Sequence, residues 1–121
     1  MSKSDIIDAQ AIAQLKKIGG ESLLREILGL FAKTAPVKVQ DALRANEQGD
    51  LKQVERAVHS LKSSVGNLGA FQLMEICGRI EALAGEGKAD QVSALLDELT
   101  EAHNQVATRL QSIRQTLDQA G

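Results

Sequence analysis

The chain has 121 residues, 14 Lys and Arg against 16 Asp and Glu, a formal net charge of -2, and 43% hydrophobic residues of which few are aromatic. That length holds one domain around one core, so residues 1–121 are expected to fold as a single unit. The near-balanced charge and the lack of stacking rings exclude the footprint of a nucleic-acid binder.

With Trp and Tyr absent, the core must come from Leu, Ile, Val and Ala, which suits packed helices better than sheets. Met1 to Ser4 are polar and expected to fray. Asp5 or Asp8 caps a short first helix with Ile12, Leu15 and Ile18 on one side, and Gly19-Gly20 stops it. A long second helix starts near Glu21 or Ser22. It carries Leu23, Leu24, Ile27, Leu30, Phe31, Val37, Val39 and Leu43. Pro36 lies inside this pattern, where it removes a backbone donor and crowds the preceding turn, so a kink or a local break is expected.

Gly49-Asp50 ends that helix and caps the third, which runs from about Leu51 to Asn67. Gly69 then breaks the chain. A fourth helix carries Phe71, Leu73, Met74, Ile76, Cys77, Ile80, Leu83 and Ala84, with Phe71 and Met74 read as core. Gly85-Glu86-Gly87 closes it. The last helix starts near Ala89 or Asp90 and carries Val92, Leu95, Leu96, Leu99, Val106, Leu110, Ile113 and Leu117. No segment alternates with period two, so no strands are predicted. Short connections between long amphipathic helices make neighbours antiparallel. The predicted fold is all-α: an up-down-up-down four-helix bundle with the short first helix covering one end.

The third helix holds the most informative residue. Leu51, Val54, Val58, Leu61, Val65 and Leu68 form one buried stripe. His59 points roughly 130° away from its centre, toward water. Lys62 follows one turn on, Ser63 stands beside it, and Gly66 lies two turns on. An exposed imidazole is nucleophilic near neutral pH. A lysine at i+3 can bring its ammonium near a group carried on that ring. A unit charge pair about 4 Å apart is worth about 1 kcal/mol in water and about 4 kcal/mol at an effective dielectric of 20. Gly66 costs a helix roughly 1 kcal/mol against Ala. Either clearance above the ring or a closely packed neighbouring helix accounts for it.

Ala57-Val58-His59-Ser60-Leu61-Lys62, followed by Asn67-Leu68-Gly69-Ala70, resembles the signature of histidine-containing phosphotransfer (HPt) domains, A-H-x-L-K-G and then a small-residue run ending in L-G. The alanine falls one place early, and Ser63 stands where the family most often has Gly. The resemblance extends from about Ile7 to the last helix. It implies one continuous bent helix across Pro36, and a phosphoryl group accepted on His59 from a receiver-domain aspartyl phosphate and passed to a response-regulator receiver. It further implies Lys62 as charge partner, Ser63 as a small residue able to donate to a phosphoryl oxygen, and Glu81 as the neighbouring-helix Gln or Glu that orients the ring. The partners implied are receiver domains of a hybrid histidine kinase and of response regulators. The resemblance implies no cofactor in this chain, the Mg²⁺ belonging to the partner. By the same analogy Ile12 and Leu15 join the docking face. The alternative is a helical scaffold that docks partners and never carries phosphate.

The remaining residues read blandly. His103, among Glu101, Asn104 and Gln105, is expected in solvent. Cys77 sits on an apolar stripe and reads as core. Being the single cysteine, it forms no internal disulfide and suggests a reducing compartment. Two His and one Cys at scattered spacing make no metal site. Arg56 and Arg79 are either solvated or at the rim of the His59 site. No apolar run is long enough for a membrane span and the N-terminus lacks a signal core, so a cytoplasmic protein is expected, and a mostly polar surface favours a monomer. Ser60 after the histidine and the absence of a nearby Pro argue against a kinase dimerisation helix. No Gly-rich nucleotide loop is present, so ATP alone should not phosphorylate the chain.

Overall fold

The computed structural model describes residues 6–120. Four helices account for nearly all of them: α1 (Ala9–Glu47), α2 (Leu51–Val65), α3 (Phe71–Gly85) and α4 (Ala89–Ala120), with a 3₁₀ turn at Gly66–Leu68. No strand occurs among the described residues. The expected fraying of Met1 to Ser4 lies outside them. Each helix packs on two others, α1 and α3 both contacting α2 and α4, so α2 and α4 stand diagonally across the bundle. The linkers are only a few residues long, which makes consecutive helices antiparallel neighbours.

The expected stop at Gly19-Gly20 is a kink within α1. Gly20 alone leaves helical geometry, at φ 72° and ψ -171°, and the helix resumes at once. That backbone conformation is open to glycine and strained for other residues. Gly20 thus separates a first helical segment, starting at Ala9, from the longer one that follows. Asp8 caps the first segment by accepting from the Gln10 N–H at 3.0 Å. Pro36 lies inside the helical run without ending it.

The start of α1 is pinned to the turn after α2. The Asp8 N–H donates to the Gly69 carbonyl at 3.0 Å. Gly69 has φ 71°, and a Cβ there would stand 2.7 Å from Asp8 Cβ and 2.8 Å from Ala11 Cβ. The glycine thus serves a left-handed turn and a backbone contact at once. At the next corner Asp50 accepts from the Gln53 N–H at 3.2 Å. At the opposite end Arg25 pairs with Asp118 and donates to the Leu117 carbonyl at 2.8 Å.

One core runs through the bundle. Leu24, Leu28, Val54, Val58, Leu61, Val65, Leu68, Leu73, Ile80, Val92, Leu96 and Leu99 are its largest fully buried members. Several expected core positions are instead exposed. Phe71 opens α3 and is 56% exposed, because Leu73, two residues on, takes the inward direction. Leu30 and Val37 are exposed because the inward stripe of α1 runs through Leu28, Phe31, Ala35 and Val39, about half a turn away. Ile18 is also exposed. His103, expected in solvent, is buried at 6% exposure, and Leu15, expected on a docking face, is buried as well. Ile12 is half-buried and Cys77 fully buried.

Candidate functional site

His59 stands midway along α2, between the buried Val58 and Leu61. The stripe anchors the helix on one side and turns the imidazole outward on the other, leaving its side chain 62% exposed. None of the four main clefts is lined by it. The largest, about 1040 Å³, runs along α4 from Asp97 to Ser112. A small substrate would find no enclosing walls at His59, whereas a second macromolecule can close over it.

From α3, Glu81 reaches across to this ring. One carboxylate oxygen, Oε2, lies 2.6 Å from His59 Nδ1, and the other, Oε1, accepts from Lys62 Nζ at 2.7 Å. The carboxyl is only 21% exposed and Lys62 33%. The Lys62 hydrogen bond comes first in holding Glu81 below the usual carboxylate range; burial opposes it, and the His59 contact helps. The group is therefore ionised at neutral pH. Because its pKa is depressed in the fold, its stabilising contribution is present at neutral pH and lost as pH falls through and below the ordinary carboxylate range.

An ionised carboxylate only accepts, so the hydrogen of the pair sits on Nδ1. The proton-free nitrogen of the neutral ring is then Nε2, whose lone pair is available to an electrophile.

The other expected site residues fall on the same stretch. Ser63 Oγ donates to the His59 carbonyl at 3.2 Å, so its hydroxyl is occupied by its own helix. Gly66 has ordinary helical angles at the junction with the 3₁₀ turn, and a Cβ there would meet only Met74, at 3.9 Å. Close helix packing therefore does not require this glycine. Gly66→Ala is expected to change stability by less than about 1 kcal/mol, measured by urea unfolding. Any loss of phosphoryl transfer in that variant then reports lost clearance. Arg56 and Arg79 are exposed. Cys77 lies within the field of both Lys62 and Glu81, but burial pushes its thiol up to about 12, so it is inert at neutral pH.

His59 thus faces outward, fixed by a carboxylate that a lysine holds from its other side. The Hpt domain family matches residues 26–120. The chain belongs to that family.

The Hpt bundle is also found in solved structures. The histidine-containing phosphotransfer protein HptB from Pseudomonas aeruginosa PAO1 is 21% identical, with a TM-score of 0.87 over 94% of this chain and 98% of its own. A putative histidine-containing phosphotransfer protein from rice is 20% identical, with a TM-score of 0.86 over 100% of this chain and 90% of its own. These likenesses show the shared fold. Among curated proteins none matches the chain. Hpt domains are phosphocarriers rather than kinases and work with receiver domains, so this chain has a histidine phosphotransfer role in a phosphorelay. Among the described residues no helix is long and apolar enough to cross a membrane.

Proposed function

We propose that His59 is the phosphorylated residue, taking a phosphoryl group from the aspartyl phosphate of a hybrid kinase's receiver domain and passing it to a response-regulator receiver. In this reading the protein acts as a cytoplasmic monomer without an ATP site of its own. The observation that carries it is the fixed ring: Nδ1 rests on Glu81 at 2.6 Å while the side chain is open to a partner.

In the forward step the Nε2 lone pair attacks phosphorus. The bond from phosphorus to the aspartyl oxygen breaks, and the aspartate leaves as a carboxylate. The proton on Nδ1 stays in place, so the phosphorylated ring is cationic, and the Glu81 carboxylate lies 2.6 Å from that charge. Onward transfer reverses the step on a second aspartate. Attack is in line and gains mainly from positioning and charge stabilisation. A partner's receiver domain supplies the Mg²⁺ and most of that stabilisation.

Lys62 has two tasks. Its ammonium offsets the Glu81 carboxylate, which alone would repel the arriving phosphoryl oxygens, and it adds positive charge one turn from His59. Ser63 keeps its hydroxyl on the His59 carbonyl and is small enough to leave the approach to the ring open, so transfer proceeds without the usual glycine. Gly66 leaves clearance for the partner's surface two turns on.

The direct test incubates the protein with a phosphorylated receiver and follows acid-labile, base-stable label. Label on this chain supports the carrier reading. Receiver binding with no transfer from any receiver would establish a scaffold instead. Two Glu81 variants test the positioning. Glu81→Ala removes both the acceptor for Nδ1 and the negative charge, and is expected to slow phosphorylation roughly 10–100-fold, the range of a lost charge-assisted hydrogen bond. Glu81→Gln keeps an acceptor and should lose less. Equal losses in the two variants would assign Glu81 a purely electrostatic role.

A further inference from the structure

The seam between α1 and α4 contains a histidine that phosphotransfer does not use. His103 is 6% exposed, and its Nε2 has no hydrogen-bond partner among the described residues. Its ring packs against Phe31 of α1, with centroids 5.8 Å apart and planes tilted by 32°. Beside it lies a mainly apolar cavity of about 300 Å³, lined by Leu28, Phe31, Ala32 and Pro36 on the α1 side and by Arg114 on the α4 side. Pro36 has no N–H to give the Ala32 carbonyl, so α1 lacks one helical hydrogen bond along this wall.

We propose that His103 is a proton-sensitive latch on the α1–α4 seam: the neutral ring closes the seam against Phe31, and the protonated ring breaks that contact and loosens the two helices from Leu28 to Arg114. A cation placed in this wall meets no compensating charge. The α1 side chains facing it are not titratable, and Arg114 has the same sign. Glu98 and Glu101 line a separate depression with Gln72 and Ile76 of α3. Helix α2 stands diagonally across the bundle. Burial accordingly holds the imidazole below its ordinary range, with Asn104 acting in the opposite direction.

The sign follows from the lowered value. The unfolded chain takes up a proton as pH falls past the ordinary 6.5, while the folded ring resists. The stabilisation is complete above that pH and declines steadily below it. Local opening along the seam relieves the same conflict without unfolding α2 and α3.

Hydrogen exchange of the full chain, corrected for intrinsic rates, tests this at about pH 7 and about pH 5.5. Protection in the 24–36 and 103–117 segments is expected to fall severalfold, by about eightfold at most, at the lower pH while α2 and α3 stay protected. His103→Phe, which keeps an aromatic partner for Phe31, is expected to hold its seam protection at both. Pooled loss of protection in all four helices, or the same seam loss in His103→Phe, would overturn the latch. A wild-type NMR titration decides the matter without a variant. Seam amides that shift together with the His103 Cε1 resonance support the latch, and a ring that titrates while those amides stay fixed refutes it.

Discussion

Replacing His59 by Gln is expected to reduce phosphoryl label from a phosphorylated receiver to background while leaving the bundle folded. The loss should be complete because no other group on this face can replace the nucleophile. Lys62 is a protonated donor engaged with Glu81, and the Ser63 hydroxyl is bound to the His59 carbonyl. Cys77 is buried with its thiol pushed up to about 12. The second histidine, His103, lies in the α1–α4 seam. The fold should survive because the His59 side chain is largely exposed and contributes nothing to the buried stripe. Its contact with Glu81 is a partly exposed pair, worth about 0–1 kcal/mol, and a Gln amide can still donate to the carboxylate. Autoradiography with the phosphorylated receiver, paired with a urea titration of the same sample, separates lost chemistry from lost structure. Retained label in His59→Gln would place the phosphoryl group elsewhere.

The largest expected effect on stability comes from a residue ten positions away. Gly69→Ala should destabilise the bundle by about 2–5 kcal/mol, from a left-handed backbone that costs a non-glycine residue about 1–2 kcal/mol and an overpacking cost of about 1–3 kcal/mol. The overpacking is specific. The new Cβ would fall 2.7 Å from Asp8 Cβ, 2.8 Å from Ala11 Cβ and 3.1 Å from the Asp8 backbone nitrogen. These atoms belong to the first turn of α1 and its cap, so relief requires the start of α1 to lift away from the turn and lengthen the hydrogen bond from Asp8 to Gly69. Denaturant unfolding gives the magnitude. Exchange protection near Asp8 and Ala11 should fall first. Gly66→Ala, only three residues earlier, is the control, since its Cβ finds ordinary contact with Met74.

How far the sequence revealed this architecture depends on the helix. In α2 the apolar residues fall on one face and the polar ones on the other, so burial of Val54, Val58, Leu61 and Val65 and exposure of His59 could all be read by periodicity. In α1 apolar residues surround the axis. Leu30 and Val37 look as suitable for the core as Phe31 and Val39, and only packing against α2 and α4 decides between them. His103 is the opposite case. Its polar neighbours suggested solvent, yet it follows Leu99 by four residues and precedes Val106 by three, which places it on the inward stripe of α4.

The site shows the same division. The i+3 spacing brings Lys62 to the His59 side of α2, and helical geometry alone predicts this. The bridge through Glu81 depends on how α2 and α3 are set side by side, which periodicity cannot specify. Glu81 was reached only through resemblance to HPt domains. Gly69 read as a break in the chain, and its close contact with Asp8 and Ala11 is a tertiary fact.

In the proposed mechanism Glu81 holds the proton on Nδ1 and so leaves Nε2 to take the phosphoryl group. This can be tested on the ring itself, using protein labelled with ¹⁵N-histidine, phosphorylated by a receiver domain and examined for ³¹P–¹⁵N coupling. Coupling to Nε2 of His59 with the proton retained on Nδ1 is the expected result. Phosphorus bonded to Nδ1 of His59, or to any other residue, would contradict it.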